Sequence, residues 1–174
     1  MGRSISIGYR LPRRRLFRLA SVARRFVAPV WPAWHADWGV PSPPSRYTCV
    51  RSGLFVVRLL AEQGIVGVLR SGVPLADERE PASASFGFRA AGEWESHAWV
   101  EAGGFVIDIT ADQFGDAPVI VLPVHDRRYA SGEGSTALPA PGPKSVEAVD
   151  IVWQAWTCGT GREHFASLSR ATDS

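Results

Sequence analysis

Asparagine is absent from the 174 residues of the chain, and lysine occurs once, as Lys144. Without asparagine the chain has no N-glycosylation sequon and no catalytic triad that depends on an asparagine. Cysteine occurs twice, as Cys49 and Cys158, which allows one disulfide at most and excludes a disulfide framework. So few cysteines fit a reducing compartment, and we expect a cytoplasmic protein.

Long apolar runs are also missing. The longest ones, such as residues 118–124 with their two prolines, fall far short of the ~20 residues that cross a bilayer. We therefore expect no transmembrane segment. Apolar residues make up 45% of the chain and charged residues 21%, as in ordinary globular proteins. Composition and length together predict a folded chain of one domain with a tail.

Acidic residues are absent from residues 1–36, which carry eight arginines. The remaining residues, 37–174, hold 11 basic and 17 acidic side chains, a formal net charge of −6. This asymmetry predicts a basic amphipathic N-terminal arm over 1–36 and a single, mildly acidic domain over 37–174, with its core at about 45–158. Any recognition of nucleic acid would depend on the arm alone, because the body is acidic.

Apolar residues recur at helical spacing within the arm, over residues 16–27. We interpret this segment as a first helix that packs on the core with its arginines in solvent. Binding of a partner protein or an anionic surface is one alternative, and a targeting segment is another. The following residues, 28–48, are rich in proline and contain Trp31, Trp34 and Trp38. We expect them to form a loop that wraps the body.

The remaining elements predict an α+β fold in which helices surround a small antiparallel sheet. A helix is predicted over 49–63, with Ser45 or Thr48 as its cap. Its buried face should consist of five apolar residues, namely Val50, Leu54, Val57, Leu60 and Ala61. Strands are predicted over 65–75, 94–102, 105–110 and 118–124, and a second helix over 145–156. Loops are expected over 76–93 and 130–144.

Cys49 stands at the start of the predicted helix 49–63. That position offers partial positive charge and backbone N–H groups, which favour the thiolate, the form that acts as a nucleophile. Position alone does not decide the role, because a free cysteine is more often a small buried apolar residue.

A histidine and an aspartate come together if Gly103 and Gly104 form a two-residue hairpin turn. Paired positions then sum to 207, and His97 and Asp108 become diagonal neighbours on one face. A three-residue turn would put them on opposite faces. The glycine pair is thus consistent with a carboxylate that orients an imidazole, and with Cys49 the set would be a Cys–His–Asp triad. A simple His–Asp pair on the surface is the alternative.

These residues resemble a known family. The segments CVRSGLFVVRLLAEQGI and SHAWVEAGGFVIDIT are similar to the transglutaminase-like branch of the papain-like cysteine enzymes. Small bacterial proteins of that branch, including the leader peptidases of lasso-peptide biosynthesis, are especially similar over about residues 45–125. The resemblance implies a papain-like core, with Cys49 as nucleophile, His97 as general base and acid, and Asp108 as the residue that orients His97.

The chain departs from papain in two ways. It lacks the C-G-S-C-W signature, and residues 1–48 contain no glutamine that would serve as oxyanion donor. The backbone N–H of Cys49 supplies one donor. In transglutaminases a tryptophan indole supplies another, which points to Trp38 here, with packing of the loop as the alternative. Gln113, five residues after Asp108, would either orient substrate or cap the turn before the next strand.

The resulting hypothesis is a cysteine-dependent amide hydrolase, a thiol protease that acts through a thioester on a peptide or protein substrate. The first alternative is acyl transfer by the same triad, as in a deamidating or crosslinking effector. The second is an inactive binding module. No spaced metal-ligand set or cofactor fingerprint stands out, so we expect neither a metal nor a cofactor.

Overall fold

The computed structural model describes residues 12–72, 87–130 and 141–160. Their helices are α1 (Arg13–Val27), α2 (Trp31–Trp34), α3 (Cys49–Glu62) and α4 (Pro143–Ala155). Short 3₁₀ turns lie at Ala28–Val30 and Ala111–Phe114, and a wider turn, Trp156–Thr160, follows α4. None of these helices combines the length and apolar character needed to cross a membrane.

Seven strands form two antiparallel sheets within the described residues. The larger sheet has the order β1–β4–β5–β6 and the smaller one β3–β2–β7. In chain order the strands are β1 (Val68–Gly72), β2 (Gly87–Ala90), β3 (Glu93–Glu95), β4 (His97–Ala102), β5 (Phe105–Asp108), β6 (Ile120–Pro123) and β7 (Tyr129–Ala130). The α+β class predicted from the sequence is therefore confirmed.

The β4–β5 hairpin has the predicted register. Val100 pairs with Ile107 and Ala102 with Phe105, so paired positions sum to 207. Gly103 and Gly104 both have positive φ, +58° and +82°, which a two-residue turn of type I′ requires. Because side chains alternate along a strand, His97 and Asp108 come to one face of the larger sheet.

The helices cover the opposite face of the larger sheet. Helix α3 packs against β4 and lies between α1 and α4. Gly53 allows this approach, because a Cβ at that position would overlap with the side chain of Leu69. The apolar residues of α1 that are buried, namely Leu16, Leu19, Ala20, Val22, Ala23 and Val27, belong to the same core cluster as those of α3. The first helix of the predicted arm therefore packs on the core, as expected from its periodicity.

The predicted buried face of α3 is wrong except at Leu60. Its buried residues are Ser52, Gly53, Phe55, Val56, Leu59 and Leu60. Of the predicted face, Val50, Leu54 and Val57 are half-buried and Ala61 is exposed. The reason is that α3 contacts the sheet, α1 and α4, so that more than one face of the helix is covered. The small residues Ser52 and Gly53 are therefore buried, although the apolar pattern of the sequence does not include them.

Two further structural predictions need correction. Residues 94–102 form two strands, β3 and β4, which belong to different sheets and are separated at Ser96. Strand β2 lies inside the segment predicted as a loop over 76–93, and residues 76–86 of that segment lie outside the described residues. Most of the loop predicted over 130–144 lies outside them as well. Strand β2 is short and contains glycine and arginine, so it carries little apolar alternation.

Candidate active site

His97 and Asp108 form a buried pair at the face where the two sheets meet. The imidazole Nε2 of His97 donates to Asp108 Oδ2 at 2.7 Å, and the two side chains are 0% and 1% exposed. Both residues were predicted as triad members, and the hairpin brings them together. The alternative drawn from the sequence was a simple His–Asp pair on the surface. That alternative is wrong, because both side chains are buried.

The carboxylate of Asp108 accepts three hydrogen bonds besides the one from His97. Its Oδ1 accepts from the backbone N–H of Thr110 at 2.8 Å and from the Thr110 hydroxyl at 3.0 Å. Its Oδ2 also accepts from the Tyr129 hydroxyl at 3.0 Å. A buried carboxylate needs such donors, because an unpaired charge in an apolar interior is strongly unfavourable. The four donors leave Asp108 little freedom to move.

These contacts set the ionisation of the pair. Burial by itself raises the pKa of Asp108, but the charge and hydrogen bond of His97, helped by Thr110 and Tyr129, hold that pKa below its usual value. Burial by itself lowers the pKa of His97, but Asp108 outweighs it and, with Cys49, raises the pKa to about 10. At neutral pH the ionised Asp108 therefore stabilises a protonated imidazole.

Cys49 is the third member of the group. It is the first residue of α3 and half-buried, and its thiol is close enough to the His97 ring to help raise the pKa of that imidazole. Because Nε2 is engaged by Asp108, the nitrogen left for the thiol is Nδ1. Helix α3 thus begins beside the first residue of β4, and the three predicted triad residues lie together.

No side chain caps the first turn of α3. The cap position is Thr48, as predicted, but its hydroxyl donates to the Ser45 carbonyl at 2.6 Å instead of accepting a helix N–H. Ser45, the other predicted cap, makes no such bond either. The first N–H groups of a helix have no partner within the helix. Among the hydrogen bonds between described residues, the backbone N–H of Cys49 has no acceptor, so it can donate to a ligand oxygen.

Gln113 lies against the imidazole and ties the turn after Asp108, which is one of the two roles considered for it, whereas substrate orientation stays a prediction. Its Nε2 donates to the Thr110 carbonyl at 2.9 Å, which ties the turn that follows β5, and it lies 3.3 Å from His97 Nδ1. The amide N–H can donate to Nδ1 only while that nitrogen is unprotonated, that is, in the neutral ring with its proton on Nε2. When Nδ1 gains a proton, it can no longer accept from the Gln113 amide. It then donates to the sulfur of Cys49 instead.

Trp38 is not part of this hydrogen-bond network. Its side chain is 72% exposed, and its ring neighbours His35, with 6.5 Å between the ring centroids. The described hydrogen bonds and ring contacts do not join it to the triad, so its oxyanion role stays a prediction. Trp31 is buried instead and donates its indole N–H to Ser52 Oγ on α3 at 3.1 Å.

Comparison of the chain with family models, with curated proteins and with solved structures returned no match. The site is therefore interpreted from its own geometry. Within the three described ranges, no group of three or more His, Cys, Asp or Glu side chains is arranged to hold a metal ion.

Aromatic side chains surround the His97 ring. The ring centroids of Phe88, Phe114, Trp99 and Tyr129 lie 5.0 to 6.4 Å from it. This cage limits the access of water and fixes the plane of the imidazole. It belongs to the second core cluster, which fills the space between the two sheets.

Sequence reasoning missed Thr110 and Tyr129 as partners of Asp108. Thr110 carried a local signal, because an aspartate often accepts from the backbone N–H two residues later. Tyr129 carried none, since it reaches Asp108 across 21 residues and from the other sheet.

Replacing Tyr129 by Phe should destabilise the protein at pH 7 by about 1.5–3 kcal/mol, the usual contribution of a hydrogen bond to a charged group. The pKa of Asp108 is lowered in the folded state, so its contribution to stability exists above the unfolded pKa of 3.8 and is lost as pH falls through the lower folded value. The loss in Tyr129→Phe should therefore shrink at low pH.

Urea unfolding at pH 7 and at successively lower pH values measures this difference. Tyr47→Phe, at an exposed tyrosine, is the matched control and should change the unfolding free energy by no more than about 0.5 kcal/mol. A loss for Tyr129→Phe that stays constant while the wild-type protein loses the stabilisation from Asp108 would mean that packing of the ring, and not its hydroxyl, is what matters.

Proposed function

We propose that this protein is a cysteine-dependent amide hydrolase of the transglutaminase-like type, with Cys49 as nucleophile. The observation that carries the proposal is the buried His97–Asp108 pair, whose imidazole interacts with a thiol at a helix N-terminus. Helix N-termini and protonated histidines are environments in which cysteines become nucleophiles. The similarity of the CVRSG and HAWVE segments to that family supports the same assignment.

The reaction would proceed in two halves. First, the thiol gives its proton to Nδ1 of His97, which forms the imidazolium that Asp108 stabilises, and the thiolate attacks the carbonyl carbon of the amide. As the C–N bond breaks, His97 returns the proton to the leaving amine, and a thioester on Cys49 remains. Water then gives a proton to His97 and attacks the thioester. The C–S bond breaks, and Cys49 recovers its proton as the carboxylic acid leaves.

The charge that develops on the carbonyl oxygen needs a donor. The backbone N–H of Cys49 belongs to the uncapped first turn of α3, and such preorganised donors contribute substantially to acyl transfer. We assign the positioning of His97 to Asp108 and Gln113, which hold the ring from its two nitrogens. The same triad would serve acyl transfer or glutamine deamidation if the acceptor or substrate differed, and product analysis separates these cases.

Iodoacetamide tests the activated nucleophile directly. Cys49 should be alkylated at pH 7 at least about tenfold faster than Cys158, although Cys158 is the more exposed of the two. In His97→Ala the rate at Cys49 should fall to that of Cys158, as measured by mass spectrometry of tryptic peptides.

Equal or faster alkylation of Cys158 in the folded wild-type protein would contradict the proposal and leave the inactive binding module as the better description. Cys158→Ser is the background for assays of acylation, and Cys49→Ala in that background should give no acyl-enzyme.

A further inference from the structure

The segment before α3 places three large apolar side chains in solvent around one pocket. Among the described residues, seven large apolar side chains are exposed, and three of them, Trp38, Val40 and Tyr47, line this pocket of about 300 Å³. The other four, Phe17, Val66, Val68 and Ile151, lie on other elements. Single exposed apolar residues are normal, but a cluster in a concave site marks a binding surface.

The backbone at Tyr47 points to a function for this arrangement. Tyr47 has φ of +64°, a conformation that a bulky residue adopts only when its surroundings impose it. Strained residues of this kind gather at active sites and ligand clamps. The strain here does not bury the ring, which is 71% exposed. Tyr47 is thus held in an unfavourable conformation with its apolar side chain in solvent.

The pocket is formed before any ligand arrives. His35, which is buried, donates from Nε2 to the Pro44 carbonyl at 3.1 Å. The backbone N–H groups of Trp38 and Gly39 both donate to the His35 carbonyl, at 3.1 and 3.0 Å. These bonds fold residues 35–44 onto themselves. A preformed pocket binds without the entropic cost of ordering a loop.

The pocket lies next to the nucleophile. Tyr47 is two residues before Cys49, so their Cα atoms are at most about 7.6 Å apart. An extended peptide advances about 3.3 Å per residue. A side chain that fills the pocket therefore belongs to a residue within roughly three positions of the amide that Cys49 attacks.

We propose that this pocket is a specificity subsite, which binds one bulky aliphatic or aromatic side chain of an extended peptide near its scissile amide. The inference rests on the proposed function and names its substrate class, a peptide and not a small polar amide. Trp38 then positions substrate by apolar contact. The alternating side chains of an extended peptide place one residue in the pocket and leave its neighbours pointing away.

Protection of Cys49 from iodoacetamide tests the subsite. The probes are blocked pentapeptides of alanine whose central residue is glycine, leucine or phenylalanine. The leucine and phenylalanine peptides should protect Cys49 at concentrations about tenfold to a hundredfold lower than the glycine peptide, the discrimination typical of apolar pockets. None should protect Cys158.

Trp38→Ala should reduce this preference to about threefold or less, with the alkylation rate of the same variant without peptide as the reference. Val40→Ala should reduce the preference partly. Val66→Ala is the matched control, because Val66 is an exposed valine beyond the far end of α3, about 21 Å along the helix from Cys49. It should leave the preference unchanged.

The outcomes separate the two proposals. If Cys49 is alkylated selectively but the three peptides protect equally, or if Trp38→Ala keeps the full preference, the subsite is wrong and the proposed function stands. If Cys49 is not alkylated faster than Cys158, the proposed function fails and the subsite fails with it.

Discussion

Asp108→Asn should slow the acylation of Cys49 by p-nitrophenyl acetate by about 10³- to 10⁴-fold, the loss seen when a triad aspartate becomes its amide. The substitution keeps the size and shape of the side chain. It also removes a negative charge that helps raise the pKa of His97 to about 10. The release of p-nitrophenolate in the Cys158→Ser background gives the rate.

The size of this effect follows from the four hydrogen bonds of Asp108. All four partners donate, whereas an asparagine offers one accepting oxygen and one donating NH₂ group. Hydroxyl groups can rotate to accept instead, but the backbone N–H of Thr110 cannot. The accepting oxygen of the asparagine should therefore stay with Thr110, and its NH₂ group should face His97 and Tyr129.

An NH₂ group at this place changes the tautomer of His97. The ring nitrogen Nε2 would have to accept, so the proton moves to Nδ1, the nitrogen that serves Cys49. A protonated Nδ1 in the neutral ring cannot take the thiol proton. Asp108→Asn is therefore expected to lose activity because the ring proton of His97 changes its position, while the His97 side chain stays in place.

Two measurements keep this prediction distinct from unfolding. Near-UV circular dichroism shows whether Asp108→Asn retains its packed aromatic cage. The matched control is Asp150→Asn, on the exposed face of α4, which should leave the acylation rate unchanged. Acylation of folded Asp108→Asn within about tenfold of wild type would contradict the assignment of Asp108 as the positioning residue.

The hairpin shows how far the sequence could predict the site. The pair Gly103-Gly104 fixes the turn, the turn fixes the register, and the register puts His97 and Asp108 on one face. Each step is local, because it depends on residues within one short hairpin. This is why the two residues could be paired from sequence although nothing else of the sheet was known.

The supporting contacts could not be predicted in the same way. Tyr129 and Arg24 reach the site from a different sheet and from the first helix, across 21 and 88 residues respectively. Such contacts depend on how elements pack, and no local periodicity encodes them. The smaller sheet escaped prediction for a related reason, since its strands are two to four residues long.

Arg24→Ala should lower the free energy of unfolding by about 2–3 kcal/mol, because several hydrogen bonds of a charged, half-buried group are lost together. The sequence placed Arg24 among eight arginines of the arm with no distinguishing mark. In the structure its guanidinium binds both carboxylate oxygens of Asp112, at 2.8 and 2.7 Å, and both side chains are 18% exposed.

Arg24 also fixes the backbone around the site. Its Nη1 donates to the carbonyls of Ile109 and Pro118, at 2.7 and 2.9 Å. These residues begin and end the turn that follows Asp108 and carries Gln113. A fork of several donors on a planar group is a contact that lysine cannot reproduce. Arg24→Lys should therefore retain the charge but recover only part of the stability.

The guanidinium further links this turn to α3, the helix that begins with Cys49. It lies 4.9 Å from the centre of the Trp31 ring, and the Trp31 indole donates to Ser52 in the first turn of α3. Loss of Arg24 should therefore loosen both halves of the triad, so acylation of Cys49 should fall in the folded variant as well as stability. A structural role elsewhere in α1 would lower stability alone.

Thermal and urea unfolding measure the loss, and the adjacent Arg25→Ala is the matched control. Arg25 is exposed and carries the same charge, so its removal should change stability by no more than about 0.5 kcal/mol. A double variant, Arg24→Ala with Asp112→Ala, should be less destabilised than the sum of the two single variants, because neither charge is then left alone. Additive losses, or a loss below about 1 kcal/mol in Arg24→Ala, would show that the ion pair does not hold the turn against α1.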